Sequence, residues 1–271
     1  MNTIIHPTAL VGKKAELGDN VTVGPYAVIE DDVVIGSGTT IGPHVYCADG
    51  ARIGKNCTIA NGAVVATKPQ DLKFKNEKTT FEIGDNTTVR EFCTLNRGTT
   101  EHMKSVVGSN CLLMAYVHVA HDCTIGNNVI LANTVQMGGH VTIEDWAIIG
   151  GVTAIHQFVS VGQHVMLGGH FRVTKDVPPY ILAGGDPVSF EGLNRIGLQR
   201  RGFSHETIEA LSQAYHLLYL SKLNVSQAAE KIRAELNHIP EINNLLTFIE
   251  SSERGIIGGK RSSPKMAHDG D

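Results

Sequence analysis

Residues 107–143 read VGSNCLLMAYVHVAHDCTIGNNVILANTVQMGGHVTI. Cut every six residues from Val107, the stretch becomes VGSNCL, LMAYVH, VAHDCT, IGNNVI, LANTVQ and MGGHVT, and each unit opens on an aliphatic residue or Met. The phase extends back to Ile5 through Leu95, Val89, Ile83, Val65, Ile59, Ile53, Cys47, Ile41, Ile35, Ile29, Val23, Leu17 and Val11. It runs forward through Ile149, Ile155, Val161 and Leu167 to Val173, and only Asp71, Glu77 and Glu101 interrupt it. Gly often follows the aliphatic residue, as at Gly12, Gly36, Gly54, Gly108 and Gly126. A small or β-branched residue stands four places after it, as at Ala27, Val33, Thr39, Ala63, Val129 and Val135.

A helix repeats every 3.6 residues and a strand every two, so a period of six belongs to neither alone. It fits a chain wound around a triangular prism, one short wall and one corner per unit, with the aliphatic residue pointing in. Three units close a coil, so residues 18 apart lie one above the other. At about 4.8 Å per coil, Ile5 to Val173 makes roughly nine coils and about 45 Å of solenoid. Composition agrees: 29 Gly and only 6% aromatic residues fit small corners better than a helical bundle. A formal charge of -4 argues against a nucleic-acid binder. No run is apolar enough to span a bilayer, and Met1–Pro7 lacks the pattern of a secretory signal, so a cytoplasmic protein without integral membrane contact is expected.

Two polar excursions, about 66–82 and 96–106, interrupt the solenoid, and such loops are where binding residues usually sit. Beyond Val173 the period stops at DVPPY (Asp176–Tyr180), and the pattern turns helical from about Asn194 to Glu253. Ser204 and Ser226 read as N-caps, and Pro240–Ile249 places Ile242, Leu245, Leu246 and Ile249 on one face. The expected organisation is a repeat domain over 1–190, a helical domain over 191–257 and a disordered tail over 258–271.

Cys47 takes an aliphatic place of the repeat and Cys57, Cys93, Cys111 and Cys123 the inward small place, so all five read as buried hydrophobes in a reducing compartment. The histidines of MAYVHVAHDC, MGGHV and AIHQF are different. His121 holds the third place of its unit, where the 18-residue stagger stacks it with Gly139 and Gln157, beside a column of His140 and Phe158. Three readings of this cluster stand: a surface group with no role, a zinc site, or an acid–base centre in which Asp122 orients His121.

The period resembles that of the hexapeptide-repeat acyltransferases, which implies a left-handed parallel β-helix; handedness comes from the resemblance. More closely, HPTA (His6–Ala9), PQDLKF (Pro69–Phe74), NRGT (Asn96–Thr99), HVAHDC (His118–Cys123), GGHV (Gly138–Val141), IHQF (Ile155–Phe158), DVPPY and RRGFS (Arg200–Ser204) resemble the UDP-N-acetylglucosamine O-acyltransferases that begin lipid A synthesis.

That resemblance implies His121 as general base on the 3-position nucleophile of a UDP-amino sugar, attacking the thioester of a 3-hydroxyacyl carrier protein. It implies Asp122 as the orienting carboxylate, Gly139 as backbone oxyanion donor, no covalent acyl-enzyme, and neither metal nor cofactor. Gln70, Asp71, Lys73, His118, His140, His156 and Gln157 are implied to contact sugar, diphosphate or acyl chain. Asn194 and Arg200 would hold the nucleotide, and Gly169 would leave room for a long acyl chain. A homotrimer with sites between subunits is also implied, and Arg195, Arg200 and Arg201 offer a basic patch to the acidic carrier or to phosphates. The chain departs from the family at Asn96, where well-studied members carry His, and at Ile196, where they carry an acid; ester and amide products both remain open. Other readings are an acetyl-CoA-dependent sugar N-acetyltransferase, the second acyltransferase of the same pathway, a γ-class carbonic anhydrase, and a non-catalytic scaffold.

Overall fold

The six-residue period becomes two-residue strands joined by four-residue corners. In a computed structural model, which describes residues 3–236 and 239–259, Ile4–Ile5, Leu10–Val11 and Glu16–Leu17 make the first coil. Thr22–Val23 then lies parallel on Ile4–Ile5, Thr22 opposite Ile4, and the same 18-residue stagger recurs along the solenoid. The three walls hold 12, 9 and 8 strands among the described residues, parallel except for the hairpin at the C-terminal end of the first wall. The parallel β-helix expected from the period is therefore the fold, and a helical region follows it.

Each wall strand turns its first residue out and its second in. The inner residues stack by coil: Val23, Ile41, Ile59, Val89, Leu113, Leu131, Ile149 and Leu167 form one buried file. Polar residues at the inward small place have a specific task. Thr39 and Thr87 donate to the carbonyls of Gly54 and Gly108 at 2.8 Å. Cys57 and Cys123 donate to those of Gly84 and Gly138 at 3.2 Å. A buried corner carbonyl left unpaired would be destabilising, so a small donor suits this place. All five cysteines are buried and unpaired. Burial pushes the Cys47 and Cys123 thiols up to about 12, which makes them unreactive.

The fourth place of most units adopts the left-handed conformation. Asn fills it at Asn20, Asn56, Asn86, Asn110 and Asn128, with φ of 54–58°, and Asn tolerates that region better than most residues. Where larger residues take the place they stack on the coil above, as Phe92 on Tyr116 and His140 on Phe158.

The first wall extends one strand past the period: Ile181–Gly184 pairs with Met166–Leu167 and turns back, antiparallel, into Ser189–Leu193. The boundary expected at 190 falls inside that last strand, so the sheet continues to Leu193. Helix α1 (Arg195–Arg200) follows, then α2 (His205–Tyr219), α3 (Val225–Glu235) and α4 (Pro240–Ser251). Ser204 caps α2, its hydroxyl accepting from the Thr207 N–H. The cap of α3 is Asn224 rather than Ser226, because Asn224 and Gln227 close a reciprocal capping box. Ile242, Leu245 and Leu246 of α4 are buried as expected, with Phe248 beside them, while Ile249 is only partly buried. Asp176 fastens this region to the solenoid by accepting from the Ser160 N–H at 2.8 Å and the Ser252 hydroxyl at 2.6 Å. Disorder expected from Gly258 does not begin there: Gly258–Gly259 pair with Ser189 and Phe190. Residues 260–271 lie outside the described residues. No helix among the described residues is long and apolar enough to cross a membrane.

Candidate active site

The corner that follows the second wall carries the chemistry. Strands His118–Val119, Gln136–Met137 and Ala154–Ile155 stack in that wall, and His121, Gly139 and Gln157 hold the same place in the turns after them. Hydrogen bonds from the His140 N–H to the His121 carbonyl (3.0 Å) and from the Phe158 N–H to the Gly139 carbonyl (3.1 Å) lock the turns together. The imidazole of His121 lies close against Gly139: a Cβ on that glycine would sit 2.6 Å from Cε1 and 2.7 Å from Nε2. The Gly138 and His140 N–H groups are used by the coil ladder. The Gly139 N–H has no partner among the described residues, which leaves a donor beside the ring.

His121 Nδ1 lies 2.8 Å from Asp122 Oδ2. Asp122 is 1% exposed, yet its carboxylate is fully satisfied. Oδ1 accepts from the Thr99 N–H at 2.9 Å and the His102 N–H at 3.3 Å. Oδ2 accepts from the Thr99 hydroxyl at 2.7 Å and from His121. Burial alone would raise the Asp122 carboxyl, but the Thr99 hydroxyl, the His121 ring and the Thr99 N–H together outweigh it and hold the group below its ordinary range. With Asp122 ionised, His121 Nδ1 is the donor of the 2.8 Å bond, and in the neutral ring Nε2 then carries the lone pair, next to Gly139.

His140 stands edge-on to His121, with centroids 5.2 Å apart, and stacks on Phe158 at 4.5 Å. Burial lowers the affinity of its ring for a proton, although Asp122 pulls the other way. His118 is lowered by burial too, against a hydrogen bond to the Thr94 backbone that raises it, and its Nδ1 lies 2.7 Å from Thr94 Oγ1. His156 Nδ1 bonds to the Gln157 carbonyl at 3.0 Å, and the Gln157 side chain is exposed. His121, Asp122, Gly139 and His140 are thus brought together, with His118, His156 and Gln157 on the same wall and corner.

Two members of the cluster were not singled out from sequence. Thr99 and His102 come from the 97–103 loop, and the His102 ring meets His140 edge-on at 5.5 Å. The NRGT stretch marked this loop, but the 23- and 20-residue spacings of Thr99 and His102 to Asp122 fall outside the 18-residue stagger, so no periodic count finds them.

His121, Asp122 and His140 have donor atoms within 4.8 Å of one another, a set that a divalent ion would accept. The Asp122 oxygens, however, already accept four hydrogen bonds, and Nδ1 of His121 is one of the donors. Two of the three groups are thus already committed to a hydrogen-bonded pair, with His140 Nε2 3.7 Å from Asp122 Oδ2, so no catalytic step is assigned to a metal.

Other expected residues lie apart within the single chain. Gln70 and Lys73 are exposed on the 68–79 loop, and Asp71 Oδ1 accepts from the Lys73 N–H at 2.9 Å. Arg97, stacked 5.6 Å over Phe74, ties this loop to the next. Gly169 occupies the corner after the first wall, where a Cβ would meet the Gly151 carbonyl at 2.8 Å, so close coil packing is reason enough for glycine there. Asn194 is 5% exposed and caps α1, accepting from the Gly197 N–H and donating to the His164 carbonyl. Its side chain thus ties α1 to the last coils. Arg200 is exposed on α1. The expected basic patch is reduced, since Arg195 pairs with Glu209 at 2.7 Å and Arg201 lies over the Trp146 ring.

Residues 176–257 match the family described as Udp N-acetylglucosamine O-acyltransferase, Domain 2, and residues 14–49, 32–67 and 104–139 match the bacterial transferase hexapeptide. A relative named acyl-[acyl-carrier-protein]--UDP-N-acetylglucosamine O-acyltransferase, from Thiobacillus denitrificans, is 50% identical over 254 residues, 93% of this chain and 98% of its own. The solved UDP-N-acetylglucosamine acyltransferase of Bacteroides fragilis 9343 superposes with a TM-score of 0.92 at 48% identity, covering 94% of this chain and 100% of that one. The corresponding enzyme of Francisella novicida gives 0.92 at 35% identity, covering 95% of each chain.

Proposed function

The chain belongs to the UDP-N-acetylglucosamine O-acyltransferase family, and from that premise we propose how its residues perform the transfer. Its reaction moves an acyl group from acyl carrier protein to UDP-N-acetylglucosamine, the first step of lipid A synthesis. The observation that carries the mechanism is the His121–Asp122 pair with the unpaired Gly139 N–H alongside.

The acceptor group on the sugar 3-position gives its proton to His121 Nε2 as its heteroatom bonds to the thioester carbonyl carbon of a 3-hydroxyacyl chain. The carbonyl π electrons move to oxygen, and the Gly139 N–H donates to that oxyanion. Asp122, ionised and buried, balances the imidazolium through Nδ1. Collapse re-forms the carbonyl and breaks the carbon–sulfur bond, and the departing thiolate takes the proton from Nε2. His121 is then neutral again. Direct transfer fits the surroundings: the Cys123 thiol donates to the Gly138 carbonyl, and the Thr99 hydroxyl donates to Asp122. Neither is free to act as nucleophile.

Gln70, Asp71, Lys73, His118, His140, His156 and Gln157 are proposed to hold sugar, diphosphate and acyl groups, and Arg200 the nucleotide. Because the 68–79 loop and α1 have no hydrogen bond to the catalytic pair among the described residues, these contacts are best made across subunits of a homotrimer. Asn194 would then support Arg200 by fixing α1. Gly169 stands across the second wall from His121, where a long chain running along that wall would end. Repeat and helical parts divide the work at about Leu193, and a cytoplasmic location goes with these substrates.

The test is acyl transfer from 3-hydroxyacyl carrier protein by wild type and His121→Ala, offered UDP-N-acetylglucosamine and its 3-amino analogue separately. Product from wild type with near-complete loss in the variant is the expected result, and the preferred acceptor decides between ester and amide. Absence of product from either sugar over several acyl lengths would refute the reading.

A further inference from the structure

Asp122 is aimed by groups that the repeat does not supply. The solenoid gives the carboxylate one hydrogen bond, from His121, and a carboxylate held at one oxygen pivots freely about the bond to its Cβ. Thr99 removes that freedom, because its N–H and hydroxyl bind different oxygens, at 2.9 Å to Oδ1 and 2.7 Å to Oδ2. Two bonds to two oxygens fix the plane of the carboxylate, and Oδ2 then faces His121 Nδ1. The His102 N–H adds a weaker bond to Oδ1 at 3.3 Å. Thr99 is itself 6% exposed, which shields the clamp from competing water.

We propose that Thr99 is a positioning residue for the transfer, clamping Asp122 so that His121 keeps the tautomer in which Nε2 is the base. It touches neither substrate nor reacting atoms; its hydroxyl is spent on Asp122. The proposal rests on the His121 mechanism for its kinetic consequence, whereas its structural consequence, a single His121 tautomer, is independent of any substrate. Loss of a hydroxyl donor to a buried carboxylate is expected to slow turnover about 10–100-fold.

The experiment compares Thr99→Val, Thr99→Ala and Thr99→Ser, with thermal unfolding to establish that each is folded. Steady-state kinetics and side-chain 15N spectra of His121 in the full chain are the readouts. Val and Ala should lower kcat about 10–100-fold with KM within about twofold, and should mix the His121 tautomers. Ser keeps the hydroxyl and should restore both turnover and the single Nδ1–H tautomer. The proposal is overturned if Val and Ala keep wild-type turnover and one tautomer, or if Ser is as slow as Val, since the methyl group and not the hydroxyl would then matter. If wild type shows no transfer while Val and Ala mix the tautomers and Ser does not, the clamp stands and the transferase reading fails.

Discussion

Replacing Gly139 by Ala should slow turnover about 100-fold while leaving the fold intact. The added Cβ would lie 2.6 Å from Cε1, 2.7 Å from Nε2 and 3.1 Å from Nδ1 of His121. Comfortable carbon–carbon contact is about 3.5–4.0 Å, so the ring must recede by about 1 Å. Nδ1 lies 2.8 Å from Asp122 Oδ2, and a shift of that size takes the pair beyond hydrogen-bond range. A misplacement of about 1 Å at a reacting group slows turnover on the order of 100-fold, equivalent to about 2.7 kcal/mol of barrier. Gly139 is not in the left-handed region, so Ala adds no backbone strain, and the N–H that serves the oxyanion is retained. The loss is therefore attributable to the ring. Steady-state kinetics should show kcat reduced about 100-fold, with the melting temperature within a few degrees of wild type. Gly138→Ala is the contrast: its Cβ would meet the Gln157 backbone nitrogen at 2.8 Å, which cannot yield like a side chain, so that variant should lose stability. A Gly139→Ala protein with more than about a third of wild-type kcat would refute the reasoning.

His164 offers a pH test. Burial, then the nearby Arg201, lower its ring to about 4 from an ordinary 6.5, and it stacks between Trp146 and Tyr180 with Nδ1 buried and unpartnered. The folded state binds fewer protons than the unfolded state between these values, so the stability is present above 6.5 and is lost as pH falls towards about 4. His164→Phe keeps the stack and should flatten that loss in denaturant titrations across the window; an unchanged slope would contradict it. Asn224→Ala removes the capping box of α3 and should destabilise the helical region by about 1 kcal/mol, measurable as a lower denaturant midpoint with activity retained.

The walls were legible because one six-residue rule decides every coil: an inward aliphatic, a corner, a small inward residue. Val107–Ile143 carries it without a break. The fourth-place asparagines were equally visible, but their meaning depends on a left-handed φ that only the backbone displays. The column of His121, Gly139 and Gln157 followed from the 18-residue stagger. Thr99 and His102 did not, because the inserted loop shifts the count and folds back onto Asp122 from outside the periodic frame. Asn194 shows the opposite limit. Its place in a resembling motif marked it for the nucleotide, but no motif foretells that its side chain caps α1 and holds the His164 carbonyl. The α3 cap was misplaced by two residues because Ser226 and Asn224 are both good caps, and only Asn224 has a Gln three residues on to return the bond.

This division has a consequence for how the site changes over evolution. The base and the oxyanion donor lie on consecutive coils of a close-packed prism, at a spacing fixed by the ladder bonds from His140 to His121 and from Phe158 to Gly139. An insertion inside either of these turns, rather than in a loop that leaves and rejoins the solenoid, would break the bond made there and disturb the alignment, so the turns themselves have little room to vary. The 68–79 and 97–103 loops leave the solenoid and return to it without changing the coil register, since Thr94 still pairs with Val64 and His118 with Thr94 across them. Residues on these loops can therefore change without moving Nε2 or the Gly139 N–H. Choice of acceptor and acyl chain should accordingly be carried by the loops and the outer wall, while the chemistry of transfer stays with the corner column.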